Sequence, residues 1–399
     1  MYNIERVHND FPALHKMVFF GSASVGPLPR VAMVAMQRYS KELRVDFAPA
    51  AWETDPVAEV RSLAAQLINA SPEEIVATTS TSAGINLLAG AIHWKRHDNI
   101  VINDLEYPVN VFPWLHQAHK HGLEVRVVHA HDGLLPLPEM IAAIDRKTRV
   151  LAVSHVEFAT GFRNDIPALA KAVHKAGGLI CVDASQSLGV LPVDVQKMEL
   201  DVLASGGYKW LCGPVGSGFA YIRKDLAEGL TPATIDYADI TVDAHKAVWN
   251  ALVSGNGYAM AEAPLQGDAQ RFQPEGLSPI AIKGLSSSLS YILDLGSKSI
   301  EERITELVDY LIKRLRVAKI GILSPTAPEK RAGIVTVSVP YNLSKPNDTH
   351  RLEQKLQNAR IVAHPRGGGL RLAVHFFNTE EEIDIVVNFI ASLSSRVGS

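Results

Sequence analysis

The stretch Ser205-Gly206-Gly207-Tyr208-Lys209-Trp210-Leu211-Cys212-Gly213-Pro214 decides the fold. Lys209 lies in a Gly-rich turn just after the apolar run Val202-Leu203-Ala204, and a second Gly-rich stretch, Gly213 to Gly218, follows. Upstream, Asp183 closes another apolar run, Leu179-Ile180-Cys181-Val182. On either side of this pair, from about residue 53 to 223, short apolar runs alternate with helical patterns. Strands are predicted over Glu74–Thr78, Asn99–Asn103, Leu123–Val128 and Arg149–Ser154, and helices over Ala83–Trp94, Val109–His121, Pro138–Ile144 and Ile166–Ala176. Strands apolar on both faces and separated by helices predict an α/β fold with a mainly parallel sheet covered on both sides. Ligands of such sheets bind beyond the carboxyl ends of the strands. Thr79-Ser80-Thr81-Ser82, Asp183 and Lys209 all fall there.

Further along, Leu230 to Pro279 is rich in Ala, Gly and Asp and is expected to be irregular. Amphipathic helices follow at about 281–295 and 300–317. Then come a strand over Gly333–Val339, a helix over His350–Asn358, a strand over Leu370–Val374, and a last helix from Thr379 with the acidic first turn Glu380-Glu381-Glu382. This predicts a large α/β domain over 17–265 and a smaller α+β domain built from 1–16 and 266–399. A chain 47% hydrophobic and 20% charged is of ordinary globular make-up, and a formal net charge of −3 speaks against nucleic-acid binding as its main task. The apolar run Met17–Gly21 is too short for a secretory signal and no run approaches a membrane span, so a cytoplasmic protein with no membrane partner is expected. The only two cysteines, Cys181 and Cys212, suggest no disulfide framework and are expected to be small buried hydrophobes. The histidines show no metal-ligand spacing.

A lysine and an aspartate, each just past a buried strand, are what pyridoxal phosphate needs. The amine forms a Schiff base with the cofactor aldehyde, and the carboxylate keeps the pyridine nitrogen protonated. A buried carboxylate needs some partner; a pyridinium N–H or a structural Arg serves equally for Asp183. Thr79 to Ser82, running from a strand end into a helix, offers hydroxyls and free N–H groups for a phosphate, or simply a capped helix. Tyr107 either stacks on a flat ring or packs at a strand end. Arg371, inside the apolar run Gly369-Leu370-Arg371-Leu372-Ala373-Val374, either grips a carboxylate or makes a structural ion pair. Gly213 to Gly218 precedes a strand-like run rather than opening a helix, which excludes a dinucleotide loop.

In this order, these motifs resemble the class V aminotransferase family of fold-type I pyridoxal-phosphate enzymes, which includes cysteine desulfurases, kynureninase, isopenicillin N epimerase and several C–S lyases. The resemblance runs from Phe11-Pro12-Ala13-Leu14 and Gly21 to Pro29 through to His375–Glu382. It implies a mainly parallel seven-stranded sheet and a homodimer with a shared active site. It implies Lys209 as Schiff-base lysine and proton shuttle, Asp183 on the ring nitrogen, Gln186 on the phenolic oxygen and Tyr107 against the ring. It places Thr81, Ser82, Ser205 and Tyr208 near the phosphate, and Arg371 with Ser24 on the substrate. Three departures stand out. The stretch Val362 to Gly369 lacks the desulfurase cysteine; Leu277 replaces the Thr of the cross-subunit phosphate contact, with Ser278 as its substitute; and Phe158 stands where desulfurases carry Asn. The expected activity is chemistry at the α-carbon of an amino acid, of aminotransferase type. A C–S β-lyase and an amino-acid epimerase are the alternatives, and a catalytically silent relative is disfavoured because Lys209, Asp183, Gln186 and Arg371 are all present.

Overall fold

The computed structural model describes residues 3–48, 54–255 and 264–395. Its strands in chain order are β1 (Val18–Phe19), β2 (Ile75–Thr78), β3 (Asn99–Asn103), β4 (Glu124–Val128), β5 (Thr148–Ser154), β6 (Leu179–Asp183), β7 (Val202–Gly206), β8 (Gly218–Ile222), β9 (Ile334–Val337), β10 (Ile361–Val362), β11 (His364–Arg366) and β12 (Gly369–Ala373). The central sheet has seven strands in the order β2-β8-β7-β6-β5-β3-β4. Only β8 runs antiparallel to its neighbours. Its two faces pack into separate cores. Val153, Val182, Leu203 and Phe219 belong to one, and Ala152, Cys181, Ala204 and Ala220 to the other. Residues one apart on a strand point to opposite faces, so strands apolar throughout require cover on both sides.

Local signals fix the flanking helices. Asp55 caps Pro56–Ile68 by accepting from the Val57 and Ala58 amides, and Asp165 caps Ile166–Ala176, which Gly177 ends at φ 87. A second sheet, β11-β12-β9, is antiparallel, and β1 pairs with β10 beside it. The helix Pro279–Leu295 lies across helices Arg30–Arg44 and Pro56–Ile68. Helix Ser297–Val317 packs on Glu380–Ser395.

Several expected boundaries shift. The helix over 83–94 is Thr81–Ala91, that over 109–121 is a 3-10 turn (Pro108–Asn110) followed by Phe112–His121, and that over 350–358 begins at Pro346. The stretch 230–279 is not wholly irregular: a helix, Val242–Ser254, stands within it, capped by the Thr241 hydroxyl and ended by Gly255 at φ 69. It buries none of its residues, so the core-facing stripe that betrays a helix in sequence has no core to face. Residues 256–263 of that stretch lie outside the described ones.

Candidate active site

The Lys209 turn is held on every side. The Gly207 amide donates to Ser217 O at 2.8 Å, and the Gly213 amide to Gly207 O at 2.8 Å. The buried indole of Trp210 donates to Gln186 Oε1 at 2.6 Å. Its carbonyl accepts from His375 Nε2 at 3.0 Å. His375 Nδ1 accepts the Phe376 amide at 2.8 Å, which leaves the ring proton on Nε2; burial pushes this histidine down to about 3, so it stays neutral. The N-terminal run closes over the turn, the Gly26 amide donating to Tyr208 O at 2.8 Å. A Cβ on Gly26 would lie 2.0 Å from the Lys209 carbonyl oxygen, so no other residue fits. That contact carries Ser24 into the crevice.

The Lys209 amine has no hydrogen-bond or ion-pair partner among the described residues. It stands 5.5 Å from the ring centre of Tyr107 and 5.9 Å from that of Tyr208. Burial lowers its pKa; Asp183 opposes that shift and Arg371 adds to it. Asp183 ends β6, beside β7 in parallel register. It is 5% exposed, and one of its oxygens accepts the Ser185 amide at 2.8 Å. Its other oxygen has no protein partner among the described residues.

Arg371, on β12, is 3% exposed. Its Nη1 donates to Phe158 O at 2.7 Å and its Nη2 to Ser24 Oγ at 2.6 Å. Among the described residues no carboxylate lies within ion-pair distance, so the structural ion pair is absent. Burial, then the nearby Arg366, lowers it to about 10. Tyr107 is 41% exposed and meets Phe158 edge-on, with centroids 5.0 Å apart.

Lys209, Asp183, Tyr107, Tyr208, Arg371 and Ser24 thus share one crevice at the carboxyl ends of β3, β5, β6 and β7. Thr81 opens its helix behind them. Its hydroxyl meets Ser185 Oγ at 2.6 Å and accepts the Gly206 amide at 2.8 Å, tying the helix start to β6 and β7. Ser80 is the N-cap, accepting from the Ala83 amide at 3.1 Å. Ser82 is half-buried in the first turn, and Ser205 Oγ donates to Gly206 O at 3.2 Å. Gln186 is engaged at both ends of its amide: besides Trp210, its Nε2 donates to Ala23 O at 3.0 Å. Ser278 caps the helix Pro279–Leu295 through the Ala281 amide. Arg271 donates to the carbonyls of Gln266, Ala227, Glu228 and Leu230 within its own chain.

Two buried acids beneath the crevice had no role in the sequence reading. Glu106 accepts from Asn103 Nδ2, Asn110 Nδ2 and both the amide and the hydroxyl of Ser154. Glu157 accepts from Asn164 Nδ2 at 2.8 Å, and its Oε2 is buried with no partner. Burial pushes Glu106 up to about 7, and burial plus the charge of Glu106 raises Glu157 well above the ordinary range. Hydrogen bonds from Ser154 and Asn110 offset part of the rise at Glu106, whereas Glu157, with one oxygen unpartnered, favours its protonated form. No pattern along the chain marked them, since Asn103, Asn110, Ser154 and Asn164 meet the two acids only in the folded protein. Cys181 is buried in β6, Cys212 is buried 3.8 Å from His375 Nε2, and burial raises both thiols, so neither is poised as a nucleophile.

Residues 18–386 match the sequence profile of Aminotransferase class-V. The chain belongs to that family. It is 30% identical to a probable cysteine desulfurase of Methanothermobacter thermautotrophicus over 96% of each sequence. The apo cysteine desulfurase of Thermococcus onnurineus superposes with a TM-score of 0.85 at 25% identity over 99% of each chain. The cystine C–S lyase C-DES, solved with its product cysteine persulfide, gives 0.83 at 24% identity, covering 96% of this chain and 99% of that one; this likeness speaks for the fold alone. The expected fold-type I architecture and family are therefore borne out.

Proposed function

We propose that this chain is a pyridoxal-phosphate-dependent enzyme acting at the α-carbon of an amino acid through Lys209. The observation that carries this is the half-buried Lys209, whose amine has no partner among the described residues and stands between two aromatic rings, beside an aspartate with an uncommitted oxygen. A cation in so dry a place is costly unless it has chemistry to do. The residues fit the cofactor: a lysine with a depressed pKa, a carboxylate for a ring nitrogen, an aromatic side chain at Tyr107, and the first turn at Thr81–Ser82 with its positive helix end for a phosphate. Bound there, pyridoxal phosphate supplies an aldehyde for the lysine and an electron-withdrawing ring that spreads the charge left by a departing α-proton. Asp183 holds the ring-nitrogen proton. With the cofactor bound, the Lys209 amine would take the α-proton. Arg371 and Ser24 orient the substrate carboxylate, and Gln186, Ser205 and Tyr208 complete the cofactor's polar surroundings.

Borohydride reduction followed by peptide mapping tests this: the pyridoxyl group is expected on Lys209, and label on another lysine, or none after cofactor is supplied, refutes it. A second reading, a C–S β-lyase, is favoured by the desulfurase relatives together with the absence of an available thiol, which leaves C–S cleavage without a protein persulfide. Incubation with an amino-acid panel, assayed for keto acid, sulfide and D-amino acid, separates transamination, elimination and epimerisation. The working unit is a homodimer. Apolar side chains exposed on two helices support this: Val31 and Val34 on Arg30–Arg44, and Trp249, Leu252 and Val253 on Val242–Ser254.

A further inference from the structure

Arg366 lies on β11 opposite Gly369 of β12, and His364 lies opposite Arg371. In antiparallel strands, opposed residues share a face and so do residues two apart. Arg366, His364 and Arg371 therefore occupy one face of this hairpin. The turn Gly367-Gly368 fixes the register, with both residues at positive φ (59 and 74). The same face clasps the chain after β5: Arg371 bonds Phe158 O, and Thr336 on β9, paired with Arg371, donates to Ala159 O at 2.6 Å. A Cβ on Gly367 would meet Ala159 O at 3.1 Å. Phe158 in turn touches Tyr107 at the mouth of the crevice. Arg366 thus stands at the outer edge of the crevice whose inner wall is Arg371.

Among the described residues, no carboxylate lies within ion-pair distance of Arg366, Arg371 or His364; Arg366 reaches only its neighbour's carbonyl, Pro365 O, at 2.8 Å. Glu353 acts on His364 from a distance and itself pairs with His350. Two guanidinium groups left unneutralised on one face, in a chain of net charge −3, form a local positive site. A single α-carboxylate answers only Arg371.

We infer that Arg366 is a second anion-binding group of the substrate site, and that the preferred amino acid carries an acidic group on its side chain. This rests on the reading of Arg371 as the α-carboxylate partner. Diagonal neighbours on one face lie roughly 7–8 Å apart, their Cβ atoms somewhat closer, within reach of long side chains, so a four- or five-carbon dicarboxylate spans the pair. An amino acid with a neutral side chain leaves Arg366 in water and gains nothing from it.

The test is calorimetric binding of succinate, glutarate and butyrate to the cofactor-loaded protein. The dicarboxylates are expected to bind about fivefold more tightly than butyrate, the upper scale of one exposed charge pair, with the advantage shrinking as salt rises. Arg366→Gln should bring the ratio close to one, and Arg366→Lys should retain part of it; matching melting points guard against misfolding. A ratio of one in the unmodified protein, or a ratio that survives Arg366→Gln, overturns the inference while leaving Arg371 intact. Butyrate binding that ignores Arg371→Lys overturns the underlying reading of Arg371, and this inference with it.

Discussion

Replacing Arg371 by lysine keeps the charge and removes the fork. Of five guanidinium N–H donors, two are spent on Phe158 O and Ser24 Oγ, which leaves three for an incoming carboxylate. A lysine in the same place has three donors in all. If it keeps both protein contacts, one remains, and two parallel hydrogen bonds to the substrate become a single one. The lost charge-assisted bond is worth about 1.5–3 kcal/mol, or roughly 10- to 150-fold in kcat/KM. The loss should fall mainly on KM, because the carboxylate is gripped alike before and during reaction. Steady-state kinetics on the amino acid and on the amine formed by its decarboxylation make the measurement. The amine should lose little. Equal losses for the two substrates would mean that Arg371 only braces residues 24 and 158, and the carboxylate role would be refuted.

Asp183→Ala should cripple α-proton exchange measured in a single turnover with saturating cofactor, and exchange at the unmodified rate would contradict its role. Asp183→Glu should also be impaired, since a shift of even ~1 Å can cost on the order of 10²-fold. Glu157→Gln tests the buried acid pair through stability. Glu157 has a folded pKa raised above the ordinary value of 4.5, so its favourable protonated state is complete below about pH 4.5 and is lost as pH rises toward the folded value. The substitution should remove a downward slope of up to about 1.4 kcal/mol per pH unit from chemical unfolding followed above pH 4.5. A variant with the unmodified slope would show that Glu157 is already ionised. Sedimentation at low micromolar concentration should give twice the chain mass of 43.4 kDa, and a fully active monomer would exclude the shared-site dimer.

The parallel sheet was legible because its strands are apolar on both faces, and that pattern has few other outcomes. Asp183 was legible because a carboxylate closes an otherwise unbroken apolar run, and Lys209 because it sits in the Gly-rich turn just past the next one. The helix Val242–Ser254 was not, since its apolar side chains face outward and mark no core. Glu106 and Glu157 stood in quoted stretches, but nothing along the chain says that Asn103, Asn110, Ser154 and Asn164 converge on them.

The sequence by itself determined the layered sheet, the family and the lysine–aspartate pair, because periodicity and strand-end chemistry are local properties. Only the tertiary structure decided who meets whom. It put Gly26 against the Lys209 carbonyl, engaged both ends of the Gln186 amide, left Arg371 without an acid, and set Arg366 on the same face as Arg371. Most of those outcomes depend on contacts between residues well over a hundred positions apart, and the last on the register of the β11–β12 hairpin. No window of sequence holds that information, since a partner's direction and distance exist only once the chain is packed.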